Sequence, residues 1–243
     1  MTQQPLADPL PGGVASDHLP AAHQHPELAQ HFDDLQQQRE ACELGMWLFL
    51  VTEFMFFGGL FLVYLVYRNW YPEQFAAGSH TMDVMLGTLN TAVLLTSSLT
   101  MALAVHAARV GQRQKLTGLL LATIVLGCVF LGVKAYEYHH KYEDQLIPFA
   151  GLPFKHQGPE LEGMAEFYNL YFVMTGLHAV HMVIGIVILL ILVVMARRGR
   201  LHGESSIIVH NTGLYWHFVD LVWVYLFPFF YLVAARGGIS AGH

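Results

Sequence analysis

The longest apolar run in the chain is 167-FYNLYFVMTGLHAVHMVIGIVILLILVVMA-196, which contains no Asp, Glu, Lys or Arg. A helix rises 1.5 Å per residue, so about 20 apolar residues cross the roughly 30 Å hydrocarbon core of a bilayer. The run is therefore long enough to form a tilted transmembrane helix. Arg197 and Arg198 follow it directly and mark a membrane surface.

Four further apolar runs complete a prediction of five spans. The third run is short by the measure of a bilayer, and we expect it to continue past Lys134, whose long side chain can reach the membrane surface. The strand-like alternation of an outer-membrane barrel is absent. The sequence predicts an all-α integral membrane fold, a five-helix bundle. Its parts are a polar tail over 1–43 with a candidate surface helix at 27–43, spans at about 44–67, 84–108, 116–138, 167–196 and 207–235, and a short end over 236–243.

Composition excludes most other classes of protein. Hydrophobic residues make up 54% of the 243 residues and charged residues only 12%, whereas a soluble domain carries about 25% charged residues. The two cysteines, Cys42 and Cys128, are too few for a disulfide framework or a cysteine metal site. The net charge of −6 disfavours nucleic acid as a partner. No clear internal repeat is visible, which weakens a transporter interpretation.

Basic residues in the short loops predict the orientation. Seven of the 12 Lys and Arg residues fall on the side of the N-terminal tail, so this side is predicted to be cytoplasmic and the C-terminus outside. Arginine presents a bidentate fork that suits phosphate, and cytoplasmic basic clusters attract anionic lipids. The candidate lipid-binding residues are Arg109, Arg113, Arg197, Arg198, Arg200 and the interfacial Trp47.

Several ionisable residues fall inside the predicted spans. A charge at the centre of a bilayer costs at least about 2.5–3.5 kcal/mol, so such residues face the bundle and find partners, or hold their proton. His178 and His181 are three residues apart and His210 and His217 seven apart, so each pair shares a helix face. The candidate buried polar, proton-linked residues are Glu53, Glu137, His178, His181, His217 and Asp220.

This pattern alone leaves three interpretations open. Histidines on facing helices could bind haem or a metal, although the spacing of His178 and His181 is weak evidence for it. The residues could form a proton or ion path. They could also be structural hydrogen bonds that fix the register of the helices. The histidines of the tail and His139–His140 are expected to be solvated.

Four stretches together resemble subunit III of the haem–copper oxidases, the cytochrome c oxidase type in its five-helix bacterial form. They are 45-GMWLFLVTEFMFF-57, Asn90-Thr91 with 94-LLTSS-98, 175-TGLHAVH-181 and 215-YWHFVDLVW-223. Glu137-Tyr138 also resembles a family position, although Lys134 stands where glutamine is usual. The resemblance covers about residues 40–235. The longer family form has two more spans ahead of the glutamate helix, where this sequence has a polar tail.

The resemblance implies a non-catalytic subunit of a proton-pumping respiratory oxidase of the bacterial inner membrane. It implies no redox cofactor in this chain, with haem and copper in partner subunits. It also implies direct binding to the catalytic subunit I, a complex that includes subunit II and a small helical subunit IV, bound phospholipid, and support of sustained proton uptake. Glu53 then corresponds to the buried carboxyl of the family.

Other functions remain open at this point. An accessory subunit of a nitric oxide reductase or of a quinol oxidase would share the same features, and a stand-alone transporter belongs to another class. Two structural expectations also follow from the sequence. Glu53 and His181 should lie at one level of the membrane if their spans are neighbours, and the long loop over 137–166 should pack on a partner or on its own bundle.

Overall fold

A computed structural model describes residues 35–148, 154, 161–199 and 206–232, and these are all helical or in turns and connections. The helices are α1 (Leu35–Trp70), α2 (Pro72–His80), α3 (Val84–Arg109), α4 (Arg113–Glu143), α5 (Leu161–Arg197) and α6 (Ser206–Tyr231). Within these described ranges, every helix except α2 is long and apolar enough to cross a membrane. The five predicted spans are therefore confirmed. The tail histidines, Arg200 and the predicted end over 236–243 lie outside the described residues.

The chain divides into two units, 1–46 and 47–243. In the first unit the described residues form the polar start of α1, where Gln36 donates a hydrogen bond of 2.9 Å to Glu40. The described part of the predicted surface helix at 27–43 is thus helical, but it belongs to α1. The helix starts before the apolar run because Gln, Glu and Arg are good helix formers.

Asp83 caps the start of α3 in the second unit. Its carboxyl accepts hydrogen bonds from the backbone N–H groups of Met85 and Leu86, at 2.9 and 3.1 Å. This satisfies two donors that the first turn leaves free.

A tight connection joins α3 to α4. After Arg109, Gly111 has a φ of +73°, a conformation that glycine adopts without strain. The chain then reverses at once into α4, which makes α3 and α4 antiparallel neighbours.

The connection between the first two spans contains a helix that hydropathy did not predict. Proline begins α2, where its missing N–H costs nothing. Phe75 of α2 is fully buried, with its ring centroid 5.3 Å from that of Tyr64 and 5.4 Å from that of Phe167. A Cβ at Gly78 would lie 2.4 Å from the Phe167 ring. The absence of a side chain there lets α2 pack directly on α5.

Trp216 occupies the centre of the bundle. Its side chain is fully buried, and its indole N–H donates to Ser97 Oγ of α3 at 3.1 Å. A Cβ on Gly127 of α4 would lie 3.0 Å from the Trp216 ring, and one on Gly185 of α5 would lie 2.9 Å from it. Two glycines on different helices therefore form a slot for the indole of α6.

Aromatic side chains attach α1 to the remaining helices. Phe57 packs edge-on against Phe218 of α6, and Phe61 packs against Phe229 with centroids 5.1 Å apart. The Tyr64 hydroxyl donates a hydrogen bond to the Phe229 carbonyl. The opposite face of the span presents large apolar side chains such as Met55 and Leu62, which suits contact with lipid or a partner.

Candidate functional site: buried polar clusters of the bundle

Glu53 and His181 meet between α1 and α5. Glu53 Oε2 lies 3.2 Å from His181 Nε2, and the two side chains are 19% and 15% exposed. The distance confirms the expectation that both residues lie at one level. Phe57, one turn after Glu53, packs edge-on against the imidazole, with centroids 5.3 Å apart.

The other nitrogen of His181 constrains the protons of this pair. His181 Nδ1 lies 2.8 Å from the Leu177 carbonyl oxygen, which can only accept, so Nδ1 carries a proton. Nε2 then either accepts a hydrogen bond from a protonated Glu53 or donates one as an imidazolium to a carboxylate. In either arrangement one hydrogen bond joins Glu53 to His181.

His178 has different surroundings from His181. Its side chain is 1% exposed, and its ring lies 5.4 Å from Phe130 and 5.3 Å from Trp223, centroid to centroid. Neither ring nitrogen has a hydrogen-bond partner within the described ranges. The two histidines thus share a face of α5 without forming one site. In the same part of the chain, no three His, Cys, Asp or Glu residues are grouped as metal ligands would be.

Lys134 does not reach the membrane surface, so that expectation was wrong. Lys134 is buried, with 4% of its surface exposed. Nζ donates three hydrogen bonds of 2.9 Å, to Glu137 Oε2, to the Tyr171 hydroxyl and to the Tyr231 hydroxyl. The side chain stays inside because these three acceptors satisfy the ammonium group completely.

Glu137 completes this cluster. The Tyr171 and Tyr231 hydroxyls donate to Glu137 Oε1 at 2.8 and 2.6 Å, so each tyrosine bridges the two charges. Lys134 Nζ also lies 5.0 Å from the ring centroid of Trp223. The sequence predicted a buried Glu137 but not this cluster, since its tyrosines come from α5 and α6. We call Lys134, Glu137, Tyr171 and Tyr231 the ionic cluster.

Polar residues also follow the surfaces of α3 and α6 that face each other. Arg109 Nη2 lies 3.1 Å from His210 Nδ1, and Ser98 Oγ lies 2.7 Å from His217 Nδ1. Asp220, one turn beyond His217, is 4% exposed. The predicted shared face of His210 and His217 is confirmed, because both line one groove.

The described candidates for lipid binding are exposed. Arg109 ends α3, Arg113 begins α4 and Arg197 ends α5, so the three lie at the same end of the bundle. Arg198 follows α5 and is exposed as well, and Trp47 is 58% exposed. Side chains in these positions are accessible to the lipid headgroups of a membrane.

Comparison with known proteins identifies the family. The family described as "Cytochrome c oxidase subunit III" matches residues 29–143 and 163–235. The "Cytochrome c oxidase subunit 3" of Thermostichus vulcanus is 30% identical over 221 residues, which is 90% of this chain and 93% of that protein. The "Quinol oxidase subunit 3" of Bacillus spizizenii is 30% identical over 80% of this chain and 88% of that protein. The "Probable quinol oxidase subunit 3" of Staphylococcus saprophyticus is 28% identical over 84% and 95%.

These matches extend over the spans and over both polar clusters. The paired Glu53 and His181 occupy two of the stretches that carried the resemblance, and Trp216 and Asp220 occupy a third. Five helices that can cross a membrane agree with the family. The chain therefore belongs to the cytochrome c oxidase subunit III family, and it is a multi-pass bacterial membrane protein that takes part in an oxidase complex as a non-catalytic subunit.

Proposed function

We propose that this chain serves a proton-pumping terminal oxidase that passes electrons from cytochrome c to oxygen. In this proposal it binds directly to the catalytic subunit I, and subunit II and a small helical subunit IV belong to the same complex. Haem and copper are held by the partners. The relative from Thermostichus vulcanus supports this choice of donor, because it covers 90% of the chain and is named a cytochrome c oxidase subunit.

The second candidate is a subunit of a quinol oxidase. The relatives from Bacillus and Staphylococcus favour it, because their names specify quinol oxidases and their identities are similar. The two candidates differ in the electron donor of the complex. The complex purified through a tag on this chain should consume oxygen with reduced cytochrome c and contain copper in subunit II. Oxygen consumption with a quinol alone would establish the second candidate instead.

The contact between Glu53 and His181 is the observation on which we base the role of this subunit. It joins α1 to α5 through a polar contact, inside a span that is attached to α6 by aromatic rings and by the hydrogen bond of Tyr64 to the Phe229 carbonyl. We propose that the pair holds α1 in the position that supports subunit I during sustained turnover. The subunit then assists proton uptake through its structure, without driving protons itself.

Glu53→Gln should assemble and turn over as the unaltered protein does. The glutamine amide can donate to His181 Nε2, which is the acceptor left once Nδ1 binds the Leu177 carbonyl. Glu53→Ala removes this donor and should destabilise the packing of α1 by about 1–3 kcal/mol. Native gel electrophoresis measures assembly, and oxygen consumption with proton uptake measures function.

Glu43→Gln on the same helix, at an exposed position, is the matched control for the loss of a carboxyl group. It should change neither assembly nor turnover. Normal assembly of Glu53→Gln together with clearly impaired proton uptake would contradict the structural role and assign Glu53 a role in proton movement.

We also propose that the exposed arginines bind the phosphates of anionic lipids. Arg109, Arg113 and Arg197 lie at one end of the bundle, as a headgroup layer requires. Neutralising these three together with Arg198 and Arg200 should lower the amount of anionic phospholipid that co-purifies. Lipid mass spectrometry measures this, and unchanged retention would contradict specific binding.

A further inference from the structure

A groove runs between α3 and α6 from the end of the bundle where Arg109 lies. Its volume is about 210 Å³, and its polar lining consists of His106 and Arg109 on α3 with His210 and His217 on α6. His210 and His217 are two turns apart, so the groove reaches roughly 10 Å along α6. Its apolar walls include Val105, whose side chain would lie 2.8 Å from a Cβ on Gly213.

Contact with hydrocarbon does not suit this lining. A guanidinium and three imidazoles would be costly to expose to lipid tails, and such residues in spans face water-filled cavities or protein. His217 is the deepest polar residue of the groove and only part-buried. Water filling the groove from the end at Arg109 would therefore contact the imidazole of His217.

A hydrogen-bonded step continues inward from His217. Its Nδ1 lies 2.7 Å from Ser98 Oγ on α3. Asp220 lies one turn beyond His217 on α6, so it is a neighbour of His217 on the helix surface, although no hydrogen bond joins it to Ser98. Asp220 is 4% exposed, and neither of its oxygens has a hydrogen-bond partner in the described part of the chain. A buried carboxyl in this situation costs free energy unless it binds a proton or water.

Aromatic rings pack around the next turn of α6 after Asp220. Trp223, one turn further along α6, is fully buried, and its ring centroid lies 4.8 Å from that of Phe130. The ring of His178 packs on the same indole at 5.3 Å. The turn of α6 before Asp220 therefore carries His217 and the groove, and the turn after it is packed among aromatic rings.

We propose that Asp220 is a proton-binding site that exchanges with the aqueous phase on one side of the membrane, through the groove, His217 and Ser98. A proton taken up at His217 Nε2 releases the Nδ1 proton to Ser98 Oγ. The hydroxyl proton of Ser98 then passes through one water molecule to the Asp220 carboxylate, so that only N–H and O–H bonds form and break. The reverse transfer, from Asp220 through Ser98 to His217 Nδ1 and from Nε2 to water, returns the imidazole to its first tautomer.

Hydrogen–deuterium exchange of the Asp220 carboxyl tests this proposal in the purified complex. The infrared band of the protonated acid is identified as the one that Asp220→Asn removes. After mixing with heavy water, this band should shift within seconds in the unaltered complex. His217→Gln keeps a hydrogen bond to Ser98 but cannot relay a proton, and it should slow the shift at least tenfold. Ser98→Ala should do the same.

Two further variants separate the route from general effects on folding. Ala102→Trp fills the groove from an exposed position on its α3 wall and should also slow exchange at least tenfold. Thr96→Val removes an exposed hydroxyl of α3 that bonds the Ala92 carbonyl of its own helix, and it should leave the rate unchanged. Exchange at the unaltered rate in both His217→Gln and Ala102→Trp would overturn the proposal, as would the absence of any band that Asp220→Asn removes.

A proton site at Asp220 would serve the proposed support of proton uptake. Only this biological role rests on the proposed function. The infrared band reports Asp220 itself, whatever the electron donor of the complex. A negative result would therefore remove the proton site and leave the proposed cytochrome c oxidase function untouched. A quinol donor in the oxygen assay would change the proposed function and leave the exchange result intact.

Discussion

Lys134→Met should destabilise the subunit by about 3–5 kcal/mol, because it leaves the Glu137 carboxylate buried without its cation. The Glu137 side chain is 7% exposed, and Lys134 Nζ is its paired cation at 2.9 Å. The two bridging tyrosines would keep their hydrogen bonds to the carboxylate but could not neutralise it. Thermal dissociation of the purified complex, followed by loss of this subunit, measures the effect.

Two further variants test whether charge is the cause. Lys115→Met removes an exposed lysine from the same helix and should change stability by less than about 0.5 kcal/mol. Lys134→Met combined with Glu137→Gln removes both charges and retains an acceptor for the tyrosines, so it should recover most of the loss. Equal stability of Lys134→Met and Lys115→Met would show that the ionic cluster contributes nothing.

Trp216→Ala should cost about 3–5 kcal/mol, since it empties the slot between α4 and α5 at the centre of the bundle. The matched control is Trp70→Ala at the end of α1, where the side chain is 65% exposed. The same thermal dissociation measures both variants. Similar stability of the two would contradict the account of the core.

The slot can also be tested by filling it. Gly185→Ala places a Cβ 2.9 Å from the Trp216 ring and should destabilise the bundle by about 1–3 kcal/mol. Gly118→Ala, on α4, meets nothing within 4 Å and should be neutral or stabilising, because alanine is the better helix former. A stabilising effect at Gly185 would mean that the helices do not approach as closely as the structure shows.

The five spans could be predicted from the sequence because a bilayer demands long apolar helices wherever the chain crosses it. Hydropathy predicted the ends of the helices less well than their positions. Residues Leu35–Glu43 are polar but continue α1, since a helix outside the hydrocarbon core needs no apolar side chains. The short α2 escaped prediction because its single deeply buried aromatic residue, Phe75, gives too weak a pattern over nine residues.

The polar contacts were only partly predictable. Depth along the spans placed Glu53 and His181 at one level, and the structure joins them at 3.2 Å. Helical spacing also put His178 on the same face as His181. Two side chains that are three residues apart on a helix nevertheless point in directions about 60° apart. That difference turns His178 towards Phe130 and His181 towards α1.

The position of Lys134 could not be predicted from its own span. A lysine near the end of an apolar run ordinarily extends to the surface, and nothing local argues otherwise. Its burial depends on Tyr171 and Tyr231, which are 37 and 97 residues further along the chain. Contacts of this kind follow from how the helices pack, and periodicity within one helix carries no information about them.

Purification of the native complex through a tag on this chain tests whether the chain is a non-catalytic subunit of an oxidase. A haem-containing catalytic subunit should co-purify in equal amount with this chain. The chain separated from its partners should carry neither haem nor copper. Purification of this chain by itself from membranes that contain an active oxidase, or a stoichiometric haem in the separated chain, would exclude that role.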